Sequence, residues 1–472
     1  MQEGEFIKEL RTNIQCLQRC EWTKEEFMSS DFYDKRLFLR LLVVAKDLAS
    51  NPTAPINQAS GEWKGAKAAY RFFDNKKITH EAILKPHVER TKKRIANHCG
   101  TVLVIQDTTF LNYSHMRHST DLGPIGKHKA HSMGLILHSC LAVTEEGLPL
   151  GLLHEDLWAR PVQDTGISDK PRDHKPIEDK ESYRWLKGIQ EVATLGGMKK
   201  EIIGVCDREA DIYELFVEAQ RLGQKILVRA QHDRSLDNGK KLWESFKEVP
   251  VADNKTITIP NTKNDIATVE VKVANVTFLF SSHKKNINNS PNKIKNIYAV
   301  YLNELNPPTH REAISWMLLT TYKVTSIRKA HRVIKWYQER WKIEVLHKIM
   351  KSGCSIELTR LETNQRRFPF IALKTIIAYR LLLITHFNKI LPTAPARSVL
   401  TQAECDALYS MKFRKITRNQ SFDAKKAIGW LAELGGYLSR RSDPLPGPTH
   451  IWRGWQRLQD YTAMFALVHQ NN

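Results

Sequence analysis

Two short apolar runs constrain this 472-residue chain more than any other feature. TVLVIQ (101–106) and EIIGVC (201–206) each read as a strand buried on both faces, and each leads directly into an aspartate, Asp107 and Asp207. Such strands need helices above and below their sheet. The sequence around them supplies both layers. MGLILHSCLAV and LPLGLLHEDLW read as two more strands, SYRWLKGIQEVATL and residues 209–222 as helices, and KILVRA as a further strand.

Three strands, helix, strand, helix, strand is the order of a ribonuclease-H-like sheet, so the expected fold class is α/β with that core. Residues 235–312 interrupt it. TITIPN, ATVEVKVANVTFLFSS and NIYAVYLNEL alternate with period two around a polar tract, KKNINNSPNKIKN, which predicts an inserted β-rich subdomain with a basic loop. AISWMLLTT reads as a strand leading back to the core. The flanks read as helical, giving three expected units: 1–80, 81–370 and 371–472. In the first, Thr23 and Glu26 form an expected capping box. Leu37, Leu41, Val44 and Leu48 mark a buried stripe, and WKGAKAAYRFF (63–73) mixes aromatics with cations. In the last, a Gly/Pro-rich break precedes an amphipathic helix with Trp452, Trp455, Leu458, Tyr461 and Phe465; this aromatic stripe exceeds what one short helix needs and predicts a dimer contact.

The stretch Ile327 to Ser352 reads as one helix, capped by Ser326 and ended by Gly353. On an ideal helix Tyr337, Arg340, Glu344, Lys348 and Lys351 fall within one arc of roughly 80°. Ile343, Leu346, Ile349 and Met350 occupy the opposite face. One carboxylate among several cations is an uneven way to build a solvated face, and it suits a metal ligand beside phosphate-binding groups.

Charge points to the partner. Lys+Arg 72 less Asp+Glu 51 leaves +21, which implies a polyanion, with nucleic acid ahead of a membrane surface. No apolar run approaches the ~18 residues of a membrane span, and the first residues carry no signal-peptide core, so a cytoplasmic protein is expected. Seven cysteines, including Cys16 and Cys20 one turn apart, make neither a disulfide framework nor a zinc site.

Asp107, Asp207 and Glu344 lie far apart in sequence, yet strand-end acids on neighbouring strands and a glutamate from a packed helix can surround two divalent ions ~3.5 to 4 Å apart, the arrangement that transfers phosphodiesters. Asp211 is a rival to Asp207, read as a helix-surface acid.

The motifs resemble one family. Tyr337-x2-Arg340-x3-Glu344-x6-Lys351, VCDREADIYELF (205–216) and QDTTFLNYSH (106–115) are similar to signatures of DDE transposases of the insertion-sequence-four group. The similarity extends through AYRF, GLLHEDLWARP, LNPP, WMLLT and LGGYL to WRGW, covering nearly the whole chain. It implies cut-and-paste transposition with Mg²⁺, Mn²⁺ being a substitute: nicking, hairpin formation, hairpin opening and joining to target DNA. It implies a homodimer on double-stranded DNA at the element's terminal inverted repeats, in the bacterial cytoplasm at the nucleoid, with no membrane partner. Asp107, Asp207 and Glu344 correspond to the catalytic metal ligands. Tyr337, Arg340, Lys348 and Lys351 correspond to DNA contacts, as does Arg229, and Trp316 to a tryptophan that stacks on a flipped base; without the resemblance Trp316 reads as a core aromatic. Arg36, Arg40 and Arg71 are the candidate DNA contacts of the N-terminal helices. Val345 replaces a second glutamate of the pattern, and Tyr213 replaces a histidine. A nuclease of the same fold that cuts without joining, and a DNA-binding protein without activity, are the alternative readings.

Overall fold

The computed structural model describes residues 21–116, 118–126, 132–161, 176–198, 200–258, 266–279, 293–309 and 311–470. Cys16, Cys20 and the tract from Lys284 to Asn292 lie outside them. The N-terminal part comprises α1 (Glu21–Phe27), α2 (Lys35–Ser50), a single turn α3 (Ile56–Ala59), α4 (Trp63–Phe73) and α5 (His80–Asn97). Asp34 caps α2 and Thr79 caps α5 through side-chain bonds to backbone N–H groups. The expected capping box is absent. Thr23 lies inside α1, and the Glu26 carboxylate is taken by charge-assisted bonds to His87 and Arg94 of α5.

The strands are β1 (Val102–Asn112), β2 (Gly123–Pro124), β3 (Met133–Thr144), β4 (Pro149–Trp158), β5 (Ile202–Cys206) and β6 (Lys225–Arg229), with α6 (Tyr183–Ala193) and α7 (Tyr213–Arg221) between the last three. After α8 (Leu242–Glu248) come β7 (Val251–Thr258), β8 (Ile266–Leu279), β9 (Lys293–Glu304) and β10 (Ser315–Thr320). They form one mixed sheet of order β2-β3-β1-β5-β6-β10-β9-β8-β7, with β4 beside β3. β1, β5 and β6 run parallel; the other pairs are antiparallel. The β-rich insertion is therefore not a subdomain of its own. β9 pairs with β10 along Tyr298 to Asn303, so ladder bonds carry the core sheet outward through β9, β8 and β7.

Alternation along β1 sorts its side chains onto two layers. Val102 and Val104 pack toward Val192 beneath α6, whereas Leu103 and Ile105 join a larger core with Leu346, Ile376 and the terminal helices. That larger core includes α11 (Asn364–Ile390), a helix long and apolar enough to cross a membrane by length and composition, contrary to the sequence expectation. Its apolar window is 78% buried within the protein, which identifies a core helix. After α11 follow α12 (Gln402–Phe413), α13 (Ala424–Leu434) and α14 (Pro448–Gln470).

The predicted helix of 327–352 is divided. α9 (Ile327–Glu339) ends where the Arg340 N–H bonds back to Tyr337, a tightened turn; α10 (Trp341–Lys348) follows. A π-turn then spans Ile349–Gly353, in which the Cys354 N–H reaches Ile349 O at 2.7 Å. The ring of Trp452 from α14 presses on Gly353, where an added Cβ would lie 2.8 Å from it. Packing against the C-terminal helix thus accompanies a widened turn that the 100° periodicity does not foresee past Lys348.

Candidate active site

Asp207 ends β5, as expected, and its Oδ1 accepts the Arg208 N–H at 2.6 Å. Asp107 does not end its strand. β1 continues to Asn112 because β3 pairs with it throughout, from Val102↔Thr144 to Asn112↔Gly134, while β5 stops at Cys206. Asp107 lies two residues beyond the last β1 to β5 pair, Ile105↔Val205, and accepts the Thr108 N–H at 2.8 Å. On the Ile105 face of the sheet, α10 brings Glu344 to the same place.

Arg340 joins these acids. Its Nη2 lies 2.5 Å from Glu344 Oε1, and its Nη1 lies 3.8 Å from Asp107 Oδ2. Asp207 is within electrostatic reach of both Arg340 and Glu344. Burial pushes the Asp107 carboxyl up to about 7; repulsion from Asp207 and Glu344 adds to the rise, against the attraction of Arg340. Burial likewise raises Glu344, with Asp207 adding to it. These are hard oxygen donors under mutual repulsion, the chemistry that a small divalent cation satisfies. Among the described residues no three His, Cys, Asp or Glu side chains converge closely enough to hold an ion as they stand, since the Arg340 guanidinium lies among the acids. The donor chemistry fits a divalent metal.

The other predicted residues divide. Lys348 is exposed, and Lys351 is half-buried in the π-turn. Tyr337 was expected on the charged face, but it is buried, edge-on to Trp316 with ring centroids 5.2 Å apart. It lies on α9 with Ala330, Val333 and Ile334, all buried in the same core. Trp316 is half-buried on β10, and the Arg229 guanidinium lies 5.9 Å from its ring. Arg36 and Arg71 are exposed and Arg40 is half-buried on the N-terminal helices, away from the acids in sequence and element. Asp211 is not a surface acid: it is fully buried, bonded to Arg234 and to the Gln231 and His232 N–H groups, because the chain turning from β6 needs an acceptor there. Tyr213 donates to Leu279 O at 2.8 Å.

A polar layer behind Asp107, on the opposite face of the sheet, has no counterpart in the sequence reading. Arg184 Nε donates to Thr108 Oγ at 2.9 Å, and that hydroxyl meets His138 Nδ1 at 2.9 Å. His138 Nε2 lies 3.2 Å from Gln106 Oε1, and α6 approaches so closely that a Cβ on Gly188 would fall 2.2 Å from that oxygen. The available signal was the polar Gln106 and His138 inside otherwise apolar strands. On α10 itself His347 is buried, and burial, followed by Lys351 and Arg340, pushes it down to about 3.

A mixed sheet with acids at its centre and a basic helix beside them defines an α/β enzyme of phosphoryl-transfer type. Residues 182–381 match the model of the transposase DDE domain, and residues 19–78 match that of a transposase DNA-binding domain. The chain is a DDE transposase, an enzyme that cleaves DNA and transfers its strands, with the ribonuclease-H-like core that this domain implies. Asp207, Glu344, Arg340 and Trp316 fall inside the matched DDE segment; Asp107 precedes it. A piggyBac transposase synaptic complex with hairpin DNA is similar at 10% identity and a TM-score of 0.39, covering 96% of this chain and 85% of that one, a likeness too slight to carry weight.

Proposed function

We propose that this enzyme mobilises an insertion sequence of the insertion-sequence-four group by cut-and-paste, as a relative of the Tn-five transposase. It binds as a homodimer to the terminal inverted repeats, excises the element through a nick, a hairpin and hairpin opening, and joins the ends to target DNA, at the bacterial nucleoid. The helices of 1–80 engage the ends through Arg36, Arg40 and Arg71, residues 81–370 carry the chemistry, and residues 371–472 support pairing of two copies. The observation that supports this reading is the Arg340 guanidinium held between Glu344 and Asp107, with Asp207 beside them.

Asp107, Asp207 and Glu344 are the residues that would hold Mg²⁺, or Mn²⁺ in its place. When bound, the metal supplies activation of water or a 3′ hydroxyl and neutralises charge on the leaving oxygen. Arg340, Lys348 and Lys351 hold phosphates by charge-assisted hydrogen bonds, orienting the scissile bond. Tyr337 fixes Trp316 and Arg340 from beneath, and Trp316 with Arg229 offers a face for a displaced base.

The test is incubation with end-bearing duplex DNA in Mg²⁺, followed by resolution of nicked, hairpin, excised and joined products. Joined products together with a hairpin support the reading. Cutting without joining would establish a nuclease instead, and binding with no cut in Mg²⁺ or Mn²⁺ would establish a binding protein.

A further inference from the structure

The ladder between β1 and β5 ends at Ile105↔Val205, before either aspartate. Beyond that pair β1 runs on along β3, and β5 turns away after Cys206. Backbone pairing between the two strands therefore does not set the separation of Asp107 from Asp207. One side chain spans the gap. Arg184, in the first turn of α6, donates from Nε to Thr108 Oγ at 2.9 Å and from Nη2 to Glu209 Oε2 at 2.8 Å, while Nη1 donates to Glu181 O at 2.8 Å. Thr108 directly follows Asp107, and Glu209 lies two residues past Asp207 in the single turn that begins there.

The bonds have one consistent direction. Arg184 has no acceptor, so the Thr108 hydroxyl accepts from it and donates its own proton to His138 Nδ1. With Nδ1 accepting, the His138 proton sits on Nε2 and is donated to Gln106 Oε1. The residues on both sides of Asp107 are thereby tied to one imidazole, which Trp185 meets edge-on at 4.7 Å. An ordinary surface ion pair would leave both partners solvated, whereas the Arg184 side chain is only 12% exposed against 53% for Glu209. The planar guanidinium fits this task, since it fixes three acceptors at set angles that an ammonium cannot reproduce.

We propose that Arg184 is a positioning residue that sets the distance between the two aspartates and so tunes the metal affinity of the site. The proposal rests on the reading of Asp107 and Asp207 as metal ligands. By the usual effect of removing a group that orients a ligand, Arg184→Met should weaken Mn²⁺ binding about 10-fold to 100-fold. Arg184→Lys should recover only part of that, and Glu209→Gln, at an exposed position, should give a smaller loss in the same direction.

The experiment is titration of Mn²⁺ into the DNA-free protein, read by the electron-spin signal of the free ion, with the melting temperature of each variant measured alongside. Asp207→Asn is the control for the site itself. If wild type binds Mn²⁺ and Asp207→Asn binds it equally, the site reading fails, and this proposal with it. If Asp207→Asn loses binding but both Arg184→Met and Glu209→Gln keep wild-type affinity, the site stands and the positioning role is overturned. Should Arg184→Met fail to fold, Glu209→Gln decides: a weaker affinity at unchanged melting temperature supports the bridge, and an unchanged affinity overturns it.

Discussion

Arg340 holds Glu344 one helical turn away at 2.5 Å while its other terminal nitrogen lies 3.8 Å from Asp107. Glu344→Gln keeps the shape of this contact and removes one negative charge. End binding should survive, because affinity for DNA comes chiefly from the cations. Cleavage in Mg²⁺ on pre-bound complexes should fall more than about 100-fold, beyond the usual effect of disturbing a ligand's support. Were Glu344 only an ion-pair partner of Arg340, worth about 0 to 1 kcal/mol, the Gln variant would cut at near-normal rates.

Arg340→Ala should show the complementary pattern. It removes a phosphate-binding cation, so end binding should weaken and the slope of log affinity against log salt should shrink by about 0.9 if one phosphate contact is lost. Binding isotherms at several salt concentrations measure this. An unchanged slope would assign Arg340 to the acids alone.

Asp107→Asn should stabilise the metal-free protein. The folded carboxyl titrates near 7 against 3.8 for the free group, so between those values the native state holds the proton more tightly than the unfolded chain does. Stability contributed by this group therefore falls as pH rises from about 4 to about 7. Asparagine carries no such penalty. Its advantage should be near zero at pH 4 and on the order of 4 kcal/mol at pH 8, from ~1.4 kcal/mol per pKa unit. Urea unfolding with a chelator at both pH values checks it; an Asn variant less stable than wild type at pH 8 would show that Asp107 is well solvated or paired.

Glu26 should behave in the opposite sense. Burial alone would raise its carboxyl, but His87, with Nδ1 at 2.6 Å, and Arg94 outweigh it and hold the pKa at about 2. A depressed acid contributes stability that is present above its unfolded value of 4.5 and lost as pH falls toward 2. His87 Nε2 accepts the Leu152 N–H at 2.9 Å, so the contact ties α1 through α5 to β4. Glu26→Gln should cost about 3 kcal/mol at pH 7 and progressively less below pH 4. A constant cost at all pH values would mean that packing, not charge, is lost.

Trp455→Ala should destabilise the single chain. The aromatic stripe of the last helix predicted a dimer contact, but Trp455 is buried within its own chain and its indole N–H donates to Ala49 O at 2.7 Å. Trp452 packs on Gly353. The expected loss is about 3 to 5 kcal/mol, as for other buried tryptophans. Calorimetry at dilute concentration, where association is negligible, separates this from an effect on pairing of copies.

The chain order of the core strands, the α4 span and α6 were legible in the sequence because apolar periodicity reports burial directly, whatever the partner. The motifs also singled out Asp107, Asp207 and Glu344 as candidates, and the structure places the Arg340 guanidinium against two of them. The spacing of the acids was not legible. It depends on where the β1 to β5 ladder stops and on Arg184 reaching across from α6, both contacts between segments separated in sequence, and on a local tightening of the helix at Arg340 that the 100° periodicity does not show.

The same limit explains Tyr337, Asp211 and the tryptophans of the last helix. Helical angle placed Tyr337 with the charges, and a position one turn into a helix placed Asp211 on a surface, but local geometry does not say what will be packed on top. By itself the sequence determined which apolar runs are buried, the main helices and strands they form and which acids and cations the chain can bring to a phosphate. Only the tertiary structure decided which of those charges face one another, because a pairing such as Arg340 with Asp107 exists only after the sheet and the helix have docked and excluded water between them.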